Sequence, residues 1–394
     1  MKVAYFAATM IKDQDGVARV IYHWIDYLKK NKIKNMFITG LNQKIKEENL
    51  YVHQVPSVKF HQGKDKIPIA IPGQVFFYKR VHRFRPDIIH VNSPCSLGFA
   101  AINYAKWNHI PVVATYHTHF PHYLKYWHVE NFESMGWLYL KRFYNQCDEV
   151  YVPEKTIMEE LKSHGFKRLK LLPHGIDNKI FNKKFRSQKW RKEQGIGDKV
   201  VVMYVGRLIW EKDINDLAKI YSYLKKDKRM AFVIVGDGSA RKELEAMMPT
   251  AKFIGKLTGK ALSTAYASGD IFVSPSTTET FGNVTIEAMA SGLACVCANS
   301  GGPKGIIQDG ITGFLAKPHD IKDFVNKISY LISHPKQRIE IAKKGFEYAS
   351  TQTWDKICDE LFKNYAEVIE NYKKKKHKWK RLNRAKEFFN PFFQ

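Results

Sequence analysis

The stretch Val200-Val-Val-Met-Tyr-Val-Gly-Arg-Leu-Ile-Trp-Glu-Lys212 decides the fold that this sequence predicts. Its first six residues are apolar and uncharged, which is typical of a strand buried on both faces of a parallel sheet. A turn at Gly206 follows, and the residues after the turn open a helical segment. Strand, glycine turn and helix in this order form the repeating unit of a doubly wound α/β domain.

The same alternation of strands and helices extends in both directions from this stretch. Val17–Lys30 predicts the first crossover helix, since its apolar residues recur at helical spacing. Right-handed crossovers then give two doubly wound parallel sheets. In the first half the predicted strands are Val3–Ala7, Asn35–Thr39, Ile88–Val91, Pro111–Tyr116 and Glu149–Val152. In the second half they are Val200–Val205, Met230–Val235, Lys252–Ile254, Ile271–Ser274 and Ala294–Ala298.

A proline and a glycine interrupt this alternation in Leu171-Leu-Pro-His-Gly-Ile-Asp177, which predicts a domain boundary. We therefore expect Rossmann-like domains at 1–172 and 173–353, facing each other across a cleft at the carboxyl ends of both sheets. A length of 394 residues suits two domains of ordinary size. Residues 354–372 predict a final helix that packs back toward the first domain, and 373–394 a basic, aromatic tail.

The composition excludes several classes of protein. Hydrophobic residues make up 44% of the chain, enough to bury two cores, and Gly and Pro are too few for a low-complexity chain. No window holds the roughly 18 uncharged apolar residues that a membrane-spanning helix needs. Met1–Ala8 is interpreted as a buried strand instead of a signal peptide. The five cysteines include no Cys-x-x-Cys pair and no zinc-finger spacing, which favours a reducing cytoplasm and no structural metal.

The most specific pattern is Pro275-Ser-Thr-Thr-Glu-Thr-Phe-Gly-Asn-Val-Thr-Ile-Glu-Ala-Met-Ala-Ser-Gly292. It places Glu279 in a loop after a strand and Glu287 eight residues later, just inside a helix that starts near Gly282. The free amides at such a helix start suit a diphosphate or the sugar attached to it. The two carboxylates can each accept a pair of hydroxyls, Glu279 from the sugar and Glu287 from a ribose. An ordinary capped helix with one loop acid and one surface acid is the alternative.

Two cations follow the strand of the stretch quoted first. Arg207 and Lys212 can converge on a diphosphate and stabilise it as a leaving group. A solvated surface pair is the alternative interpretation. The two patterns together predict a site that binds a phosphorylated sugar.

These stretches resemble the retaining GT-B glycosyltransferases of family four. Pro275–Gly292 is similar, almost letter for letter, to the family's Glu-x7-Glu signature, and Gly206–Lys212 to its Gly-Arg-Leu-x-x-Glu-Lys clamp. The resemblance covers nearly the whole chain and is strongest over 201–318. It implies a GT-B fold, a UDP- or GDP-linked sugar donor, retention at the anomeric carbon, and neither a metal nor another cofactor.

The resemblance also implies roles for single residues. The implied catalytic residues are His117, Glu279, Arg207 and Lys212. The implied donor-binding residues are Gly16, Gly206, Phe281, Gly282, Asn283, Glu287 and Leu257. Leu257 ends the segment Phe253–Leu257, which is similar to the one that receives the nucleobase on backbone atoms. In the turn Gly236-Asp-Gly238, a structural role and a ligand contact both fit Asp237.

Three positions depart from the family pattern. Asp15 replaces the first of two glycines in the loop before Gly16, Asp213 stands where a glycine usually follows the clamp, and Ala294 stands where the family usually has proline. Asp13 and Asp15 also form an Asp-x-Asp pattern, the carboxylate pair with which GT-A enzymes hold Mn²⁺ or Mg²⁺. We reject that interpretation, because the pair lies in the first loop and the chain already has cations for the diphosphate.

Two imidazoles stand at the end of a first-half strand, in Val113-Ala-Thr-Tyr-His-Thr-His-Phe-Pro121. Ligands meet an α/β domain at the carboxyl ends of its strands. His117 matches the family histidine that approaches the transferred sugar, and His119 is a candidate for acceptor binding. A structural role is the alternative for each.

Within the family, residues 86–121 are most similar to the branch that glycosylates diacylglycerol or glycolipids, including sulfoquinovosyl and α-mannosyl transferases. The charge pattern favours a lipid acceptor independently, since the chain carries a net charge of +26 and 373–394 holds nine Lys or Arg and one Glu. Residues 56–86 interleave the cations Lys59, Lys64, Lys66, Lys79, Arg80, Arg83 and Arg85 with Phe60, Phe76, Phe77, Tyr78 and Phe84.

Such a stretch can lie in a headgroup layer, with cations paired to anionic lipid and aromatics inserted. We expect Lys79, Arg80 and Arg83 to contact an anionic membrane and the protein to associate peripherally with the cytoplasmic face of the cell membrane. Solubility alone does not need aromatics beside lysines, and no nucleic-acid-binding motif is present.

Other functions stay open on the sequence alone. A transferase for soluble or polysaccharide acceptors, or a GT-B-type nucleotide-sugar epimerase, would use the same motifs. A non-enzymatic peripheral scaffold is a third alternative, and the intact Glu279, Glu287, Arg207 and Lys212 argue against it. The sequence leaves undecided the nucleotide, the sugar, the linkage and the oligomeric state.

Overall fold

The computed structural model describes residues 1–10, 16–40, 50–62, 65–70, 76–117 and 133–388, without side chains for 58–70 and 377–388. In these ranges the chain forms two lobes, each built on a parallel sheet with helices on both faces. The predicted α/β class with two facing Rossmann-like sheets is confirmed.

The first lobe contains seven parallel strands in the order β3-β2-β1-β6-β7-β8-β9, together with a separate antiparallel hairpin of β4 and β5. The strands are β1 (Lys2–Phe6), β2 (Lys34–Gly40), β3 (Val52–Val55), β4 (Ser57–Gln62), β5 (Asp65–Ala70), β6 (Ile88–Val91), β7 (Val112–Thr115), β8 (Glu149–Val152) and β9 (Leu169–Leu171). The helices are α1 (Gly16–Lys30), α2 (Tyr78–Phe84), α3 (Ser96–Trp107), α4 (Glu133–Tyr144) and α5 (Lys155–Ser163).

The second lobe contains six parallel strands in the order β12-β11-β10-β13-β14-β15. The strands are β10 (Val200–Val205), β11 (Met230–Val235), β12 (Lys252–Gly255), β13 (Ile271–Ser274), β14 (Ala294–Ala298) and β15 (Phe314–Ala316). The helices are α6 (Gln188–Glu193), α7 (Ile214–Leu224), α8 (Arg241–Met247), α9 (Gly259–Ala267), α10 (Asn283–Ala290), α11 (Gly301–Ile306), α12 (Ile321–Ser333) and α13 (Pro335–Thr351). Short 3₁₀ turns cover Lys183–Phe185 and Trp210–Lys212.

Each sheet reverses its strand order next to its first strand, between β1 and β6 and between β10 and β13. Ligands of doubly wound sheets bind in the crevice that opens at such a switch point. The loops that follow these four strands are therefore the parts of the fold that position a site.

A last helix, α14 (Trp354–Phe388), returns to the first lobe. Its Tyr365 is fully buried there and forms a hydrogen bond with Nδ1 of His90, whose Nε2 lies 2.8 Å from Oγ1 of Thr115. The prediction ended this helix at residue 372, and the structure continues it for four more turns. Lys, Arg and Glu are good helix formers, and the first proline after Trp354 is Pro391.

Two connections between the lobes run side by side. Ile176 and Thr353 form a parallel bridge, and the amide of Ile176 donates to the carbonyl of Gln352 at 2.6 Å. A Cβ at Gly175 would lie 2.6 Å from the Cα of Trp354, so only glycine fits this approach. We keep 172/173 and 353/354 as the proposed lobe limits.

Among the described residues, no helix is long and apolar enough to cross a bilayer.

Candidate active site

An ion pair between Lys212 and Glu279 lies at the switch point of the second sheet. Lys212 ends the 3₁₀ turn after β10, and Glu279 lies in the loop after β13, the strand beside it. Lys212 Nζ and Glu279 Oε1 are 2.7 Å apart, and both side chains are largely buried. A carboxylate has about four acceptor positions, so Glu279 is held in place and still able to accept hydroxyls.

Asp213 fastens the two loops that carry this pair. Its backbone is in the left-handed region, with φ of 52°, where the family pattern usually has glycine. Its carboxylate accepts hydrogen bonds from the amide and the hydroxyl of Thr277, each at 2.8 Å. Thr278 donates in addition to the carbonyl of Glu211 at 2.8 Å. The departure from glycine thus supplies a cross-link between the loops.

The N-terminus of α10 lies directly beyond Glu279. Gly282, with φ of 87°, precedes Asn283, the first residue of the helix. Gly302 packs against this turn so closely that a Cβ there would lie 2.0 Å from the backbone of Phe281. The free amides of the α10 start are therefore held in one position, where they can face an anion.

Glu287 is buried one turn into α10 and is already engaged. The Tyr266 hydroxyl donates to its Oε2 at 2.9 Å, and Arg19 of α1 lies 3.4 Å from its Oε1. Burial raises the pKa of Glu287, and the Arg19 charge opposes that shift. Sequence reasoning missed Arg19, although it lies only three residues after Gly16.

Arg207 follows β10 with its side chain exposed. Its carbonyl accepts a hydrogen bond from the Tyr204 hydroxyl at 3.3 Å, and no carboxylate in the described residues pairs with its guanidinium. Gly206 before it donates its amide to the carbonyl of Val235 at 3.0 Å. Leu257 lies after the neighbouring β12, partly buried against the second-lobe core. The guanidinium is thus free to bind an anion at the strand end.

The two lobes meet where α1 and α10 begin. A Cβ at Gly16, the first residue of α1, would lie 3.6 Å from Nδ2 of Asn283. Two helix N-termini therefore face one another, and each carries about half a positive charge. Such a gap favours an anion more strongly than either helix would alone.

His117 stands at the end of β7 on the first-lobe side of this gap. Its Nε2 is 3.2 Å from Oδ1 of Asn92, and its ring lies 5.9 Å from the Trp24 ring. Burial lowers the pKa of His117 well below its usual value, so the ring is neutral at pH 7. Since Asn92 Oδ1 can only accept, Nε2 carries the proton and Nδ1 is an acceptor, buried without a partner in the described residues.

His174 lies between the lobes and was interpreted from the sequence only as part of the domain junction. Its Nδ1 is 2.9 Å from Oδ1 of Asn283, and its ring lies 6.2 Å from that of His117. Phe281 and Trp354 pack around it, with ring centroids at 4.7 Å and 5.9 Å. Burial lowers the pKa of His174 to about 4.

A cavity of about 160 Å³ opens between the lobes beside Glu279. The first lobe contributes the start of α5, with Thr156 and Glu160, and the second lobe contributes Thr278 and Lys304. Most of its lining residues are of polar type, and they include both charge signs. The space next to the Glu279 carboxylate therefore suits a neutral molecule rich in hydroxyls.

The structure brings most of the predicted site residues to one gap and leaves others away from it. Those at the gap between the lobes are His117, Gly16, Glu279, Phe281, Gly282, Asn283 and Glu287, and Lys212 is paired with Glu279 there. Gly206 and Arg207 follow β10 in the second lobe, with Arg207 exposed. Lys79, Arg80 and Arg83 are exposed on α2 instead. His119, Asp13 and Asp15 lie outside the described residues. Within the described ranges, no three His, Cys, Asp or Glu side chains are placed to hold a metal ion.

The predicted insertion of all aromatics of 56–86 into lipid is wrong for Phe77. Phe77 is 1% exposed and packs against Phe6 and Tyr104 in the first-lobe core. Phe84 is also partly buried against that core. Phe77, Val81 and Phe84 recur at helical spacing, so they form the inward face of α2, and the cations form its outward face.

Two family models match the chain, and together they cover both lobes. The model of glycosyl transferases group 1 matches residues 186–348, and that of glycosyltransferase family 4 matches residues 14–179. A GDP-mannose-dependent alpha-mannosyltransferase of Corynebacterium glutamicum is 32% identical, over 94% of this chain and 89% of its own length. The sulfoquinovosyl transferase of Arabidopsis thaliana is 36% identical, over 79% of this chain and 62% of its own.

A more distant relative and two solved structures extend the comparison. An alpha-monoglucosyldiacylglycerol synthase of Streptococcus pneumoniae is 24% identical, over 95% of this chain and 88% of its own length. The Anabaena protein HepE in complex with UDP and glucose superposes with a TM-score of 0.73 at 19% identity, over 93% of this chain and 99% of its own. Sucrose-phosphate synthase from Thermosynechococcus elongatus superposes with a TM-score of 0.77 at 18% identity, over 94% of this chain and 99% of its own.

Proposed function

The chain belongs to the family-four, group 1 glycosyltransferases, and on that premise we propose that it transfers a hexose from a nucleotide diphosphate sugar to a lipid hydroxyl with retention. The observation that carries the proposal is the meeting of two helix N-termini, those of α1 and α10, at the gap between the lobes. The exposed Arg207 follows β10 of the same lobe as α10. A diphosphate is the group of a nucleotide sugar that such a gap binds.

In this proposal the diphosphate lies against the place where Gly16 and the α10 start meet, and Arg207 binds it from the second lobe. As the glycosidic bond breaks, the β-phosphate gains charge, and Arg207 and Lys212 stabilise it. These cations and the helix amides supply the neutralisation that a divalent metal would otherwise give. We therefore propose that the reaction needs no metal.

The donor's sugar reaches Glu279 and its ribose reaches Glu287. Lys212 fixes the Glu279 carboxylate, and the cavity beside it has room for hydroxyls. Glu287 keeps its Tyr266 hydrogen bond, and the 3.4 Å contact with Arg19 is long enough to yield to a ribose hydroxyl. A structural role for Glu287 alone would leave donor binding unchanged when it is replaced.

His117 meets the transferred sugar from the first lobe. Its neutral ring has an acceptor at Nδ1, which a sugar hydroxyl can reach as a donor. Retention follows from a same-face exchange: the acceptor oxygen bonds to the anomeric carbon as the bond to phosphate breaks, and the acceptor's proton passes to the leaving phosphate. No other base is required for this balance.

The lipid acceptor is supported by the outward face of the first lobe. α2 packs beside α3 through Tyr78 and Tyr104, and α3 beside α4 through Phe99 and Tyr139. The cations exposed on these three helices are Lys79, Arg80, Arg83, Lys106, Lys141 and Arg142. The large exposed apolar side chains are Tyr78, Trp107, Met135, Leu138 and Tyr139. This combination suits an anionic bilayer surface.

Incubation with radiolabelled GDP-mannose or UDP-glucose and vesicles containing diacylglycerol tests the reaction. We expect label in a chloroform-soluble product with an α-linkage by NMR, and none with the Glu279→Gln variant. Label only in water-soluble product would support a soluble acceptor, and an altered donor without acceptor an epimerase. Either result would overturn the lipid proposal.

Vesicle sedimentation tests the proposed membrane surface. We expect the protein to sediment with vesicles containing phosphatidylglycerol and to lose binding when Leu138 becomes Glu together with Arg142→Glu. Ile339→Glu together with Lys343→Glu, at exposed positions of α13 in the second lobe, is the matched control. An equal loss of vesicle binding in both variants would contradict the assignment of the membrane-binding surface to the first lobe.

A further inference from the structure

His174 lies on the first connection between the lobes, between β9 and the second sheet, and is 8% exposed. It contacts both sides of the gap: the His117 ring of the first lobe and the Asn283 side chain of the second. The proposed reaction gives it no role. A buried histidine between two groups of the site is therefore unexplained.

The hydrogen bond from His174 determines its own tautomer. The side-chain oxygen of Asn283 can only accept, so Nδ1 of His174 carries the proton and donates at 2.9 Å. The ring is neutral at pH 7, since burial holds the pKa of His174 at about 4. Nε2 is then a bare acceptor, and it is buried without a partner in the described residues.

The same hydrogen bond determines which end of the Asn283 amide faces the other lobe. With Oδ1 turned to His174, the NH₂ group is the other end of the amide, and a Cβ at Gly16 would lie 3.6 Å from it. An anion in the gap would meet two N–H donors. A flipped amide would present its oxygen there and repel the anion.

Packing prevents His174 from turning away. Its ring lies between Phe281 and Trp354, and Trp354 in turn stacks on His23 at 4.4 Å. Since these rings come from both lobes and from the start of α14, the His174 ring has one orientation as long as the lobes stay together.

We propose that His174 is a positioning residue for the donor's diphosphate: by donating to Asn283 it keeps the Asn283 NH₂ group directed at the gap between the α1 and α10 N-termini. This inference rests on the proposed function, in which that gap holds the diphosphate. His174 does not touch the diphosphate, and it acts through Asn283.

Two amide substitutions at position 174 separate this role from simple packing. In His174→Asn the side-chain NH₂ takes the place of Nδ1 and can still donate to Asn283. In His174→Gln the amide is one methylene further out, where Nε2 was, and no donor faces Asn283. Both variants keep a polar amide in the same buried site.

Calorimetric titration with GDP and with UDP measures the effect. We expect His174→Gln to raise the dissociation constant of the nucleotide that the wild type binds by about tenfold, as for one lost hydrogen bond to a charged group. The dissociation constant of His174→Asn should stay within about threefold of the wild-type value. Asn283→Asp, which has an acceptor at both ends, should weaken binding further. Thermal unfolding of each variant checks that the fold persists.

A double-mutant cycle with Asn283→Ala completes the test. If His174 acts through Asn283, adding His174→Gln to Asn283→Ala costs no further affinity. Additive losses, or a His174→Gln variant that binds as well as the wild type, would overturn the inference. If the wild type binds neither GDP nor UDP, the proposed function fails instead, whatever the variants do.

Discussion

The two sides of the cleft differ in how they present polar groups. On the second-lobe side the groups are charged: Arg207 is exposed after β10, and Lys212 and Glu279 are paired beside the cavity. On the first-lobe side the histidines are neutral and buried: the His117 ring lies beside Asn92 and Trp24, and the His90 ring lies 4.9 Å from that of Trp24. The charged groups of this lobe at the cleft are Arg19, which contacts Glu287, and Glu160, which lines the cavity. The difference supports the proposal that the second lobe supplies most of the charge that holds the donor and that His117 of the first lobe orients a sugar hydroxyl.

Arg207→Ala removes a charged group of the second lobe and should have the largest effect on the transfer rate. We expect kcat to fall by about 10²–10³, because the leaving phosphate loses a donor in the transition state. The unfolding free energy should change by less than about 0.5 kcal/mol, since the side chain is exposed. Steady-state kinetics and denaturant unfolding measure the two. Lys189→Ala, an exposed lysine of α6, is the control.

His117→Gln replaces a buried neutral group of the first lobe. We expect kcat to fall by about 10- to 100-fold, as for one lost hydrogen bond in the transition state. Nucleotide affinity should stay unchanged, since the proposed partner of His117 is a sugar hydroxyl and not the diphosphate. A loss of GDP or UDP affinity equal to that of Arg207→Ala would contradict the division of roles.

Acidification tests the first-lobe side of this comparison, because the buried neutral His90 and His117 lie there. Burial lowers the pKa of His90 to about 3, so below pH 6.5 the unfolded chain binds a proton there that the folded chain does not. Stability therefore falls as the pH drops, by about 2 kcal/mol from this residue between pH 7.5 and 5. Denaturant unfolding across that range measures the slope. His90→Gln should reduce it, and an unchanged slope would exclude His90 as the source.

Removal of metal should have the smallest effect. If Arg207, Lys212 and the two helix N-termini neutralise the diphosphate, then excess EDTA leaves the transfer rate unchanged. Initial rates with and without EDTA, and with added Mg²⁺ or Mn²⁺, test this. A rate that requires either ion would show that the second-lobe charges are insufficient.

The second lobe was the easier half to predict. Val200–Val205, Met230–Val235, Ile271–Ser274 and Ala294–Ala298 match the structure residue for residue, because central strands of a parallel sheet are continuous apolar runs. The strands β3, β4, β5, β9 and β15 were missed. β3, β9 and β15 lie at sheet edges and are only three or four residues long, and β3 and β9 contain polar side chains, so no such run marks them. β4 and β5 form the separate hairpin, and both contain charged residues.

The sequence predicted the site residues that lie within a motif, and it missed the contacts between residues of different motifs. Glu279 and Lys212 carry a local pattern, and their meeting follows from two neighbouring strands. The contact of Arg19 with Glu287 joins residues 268 positions apart across the lobes, and the contact of His174 with Asn283 joins the connection between the lobes to α10, 109 positions later. Such pairs depend on how distant segments pack in three dimensions, and local spacing carries no information about that.

The return of α14 to the first lobe has a consequence for biosynthesis. Ile357, Leu361 and Tyr365 complete the core that α1 and the first sheet begin. While the ribosome is still making the second lobe, that surface has no cover, and exposed apolar surface favours aggregation. The half of the protein that is translated first is therefore the half that finishes folding last.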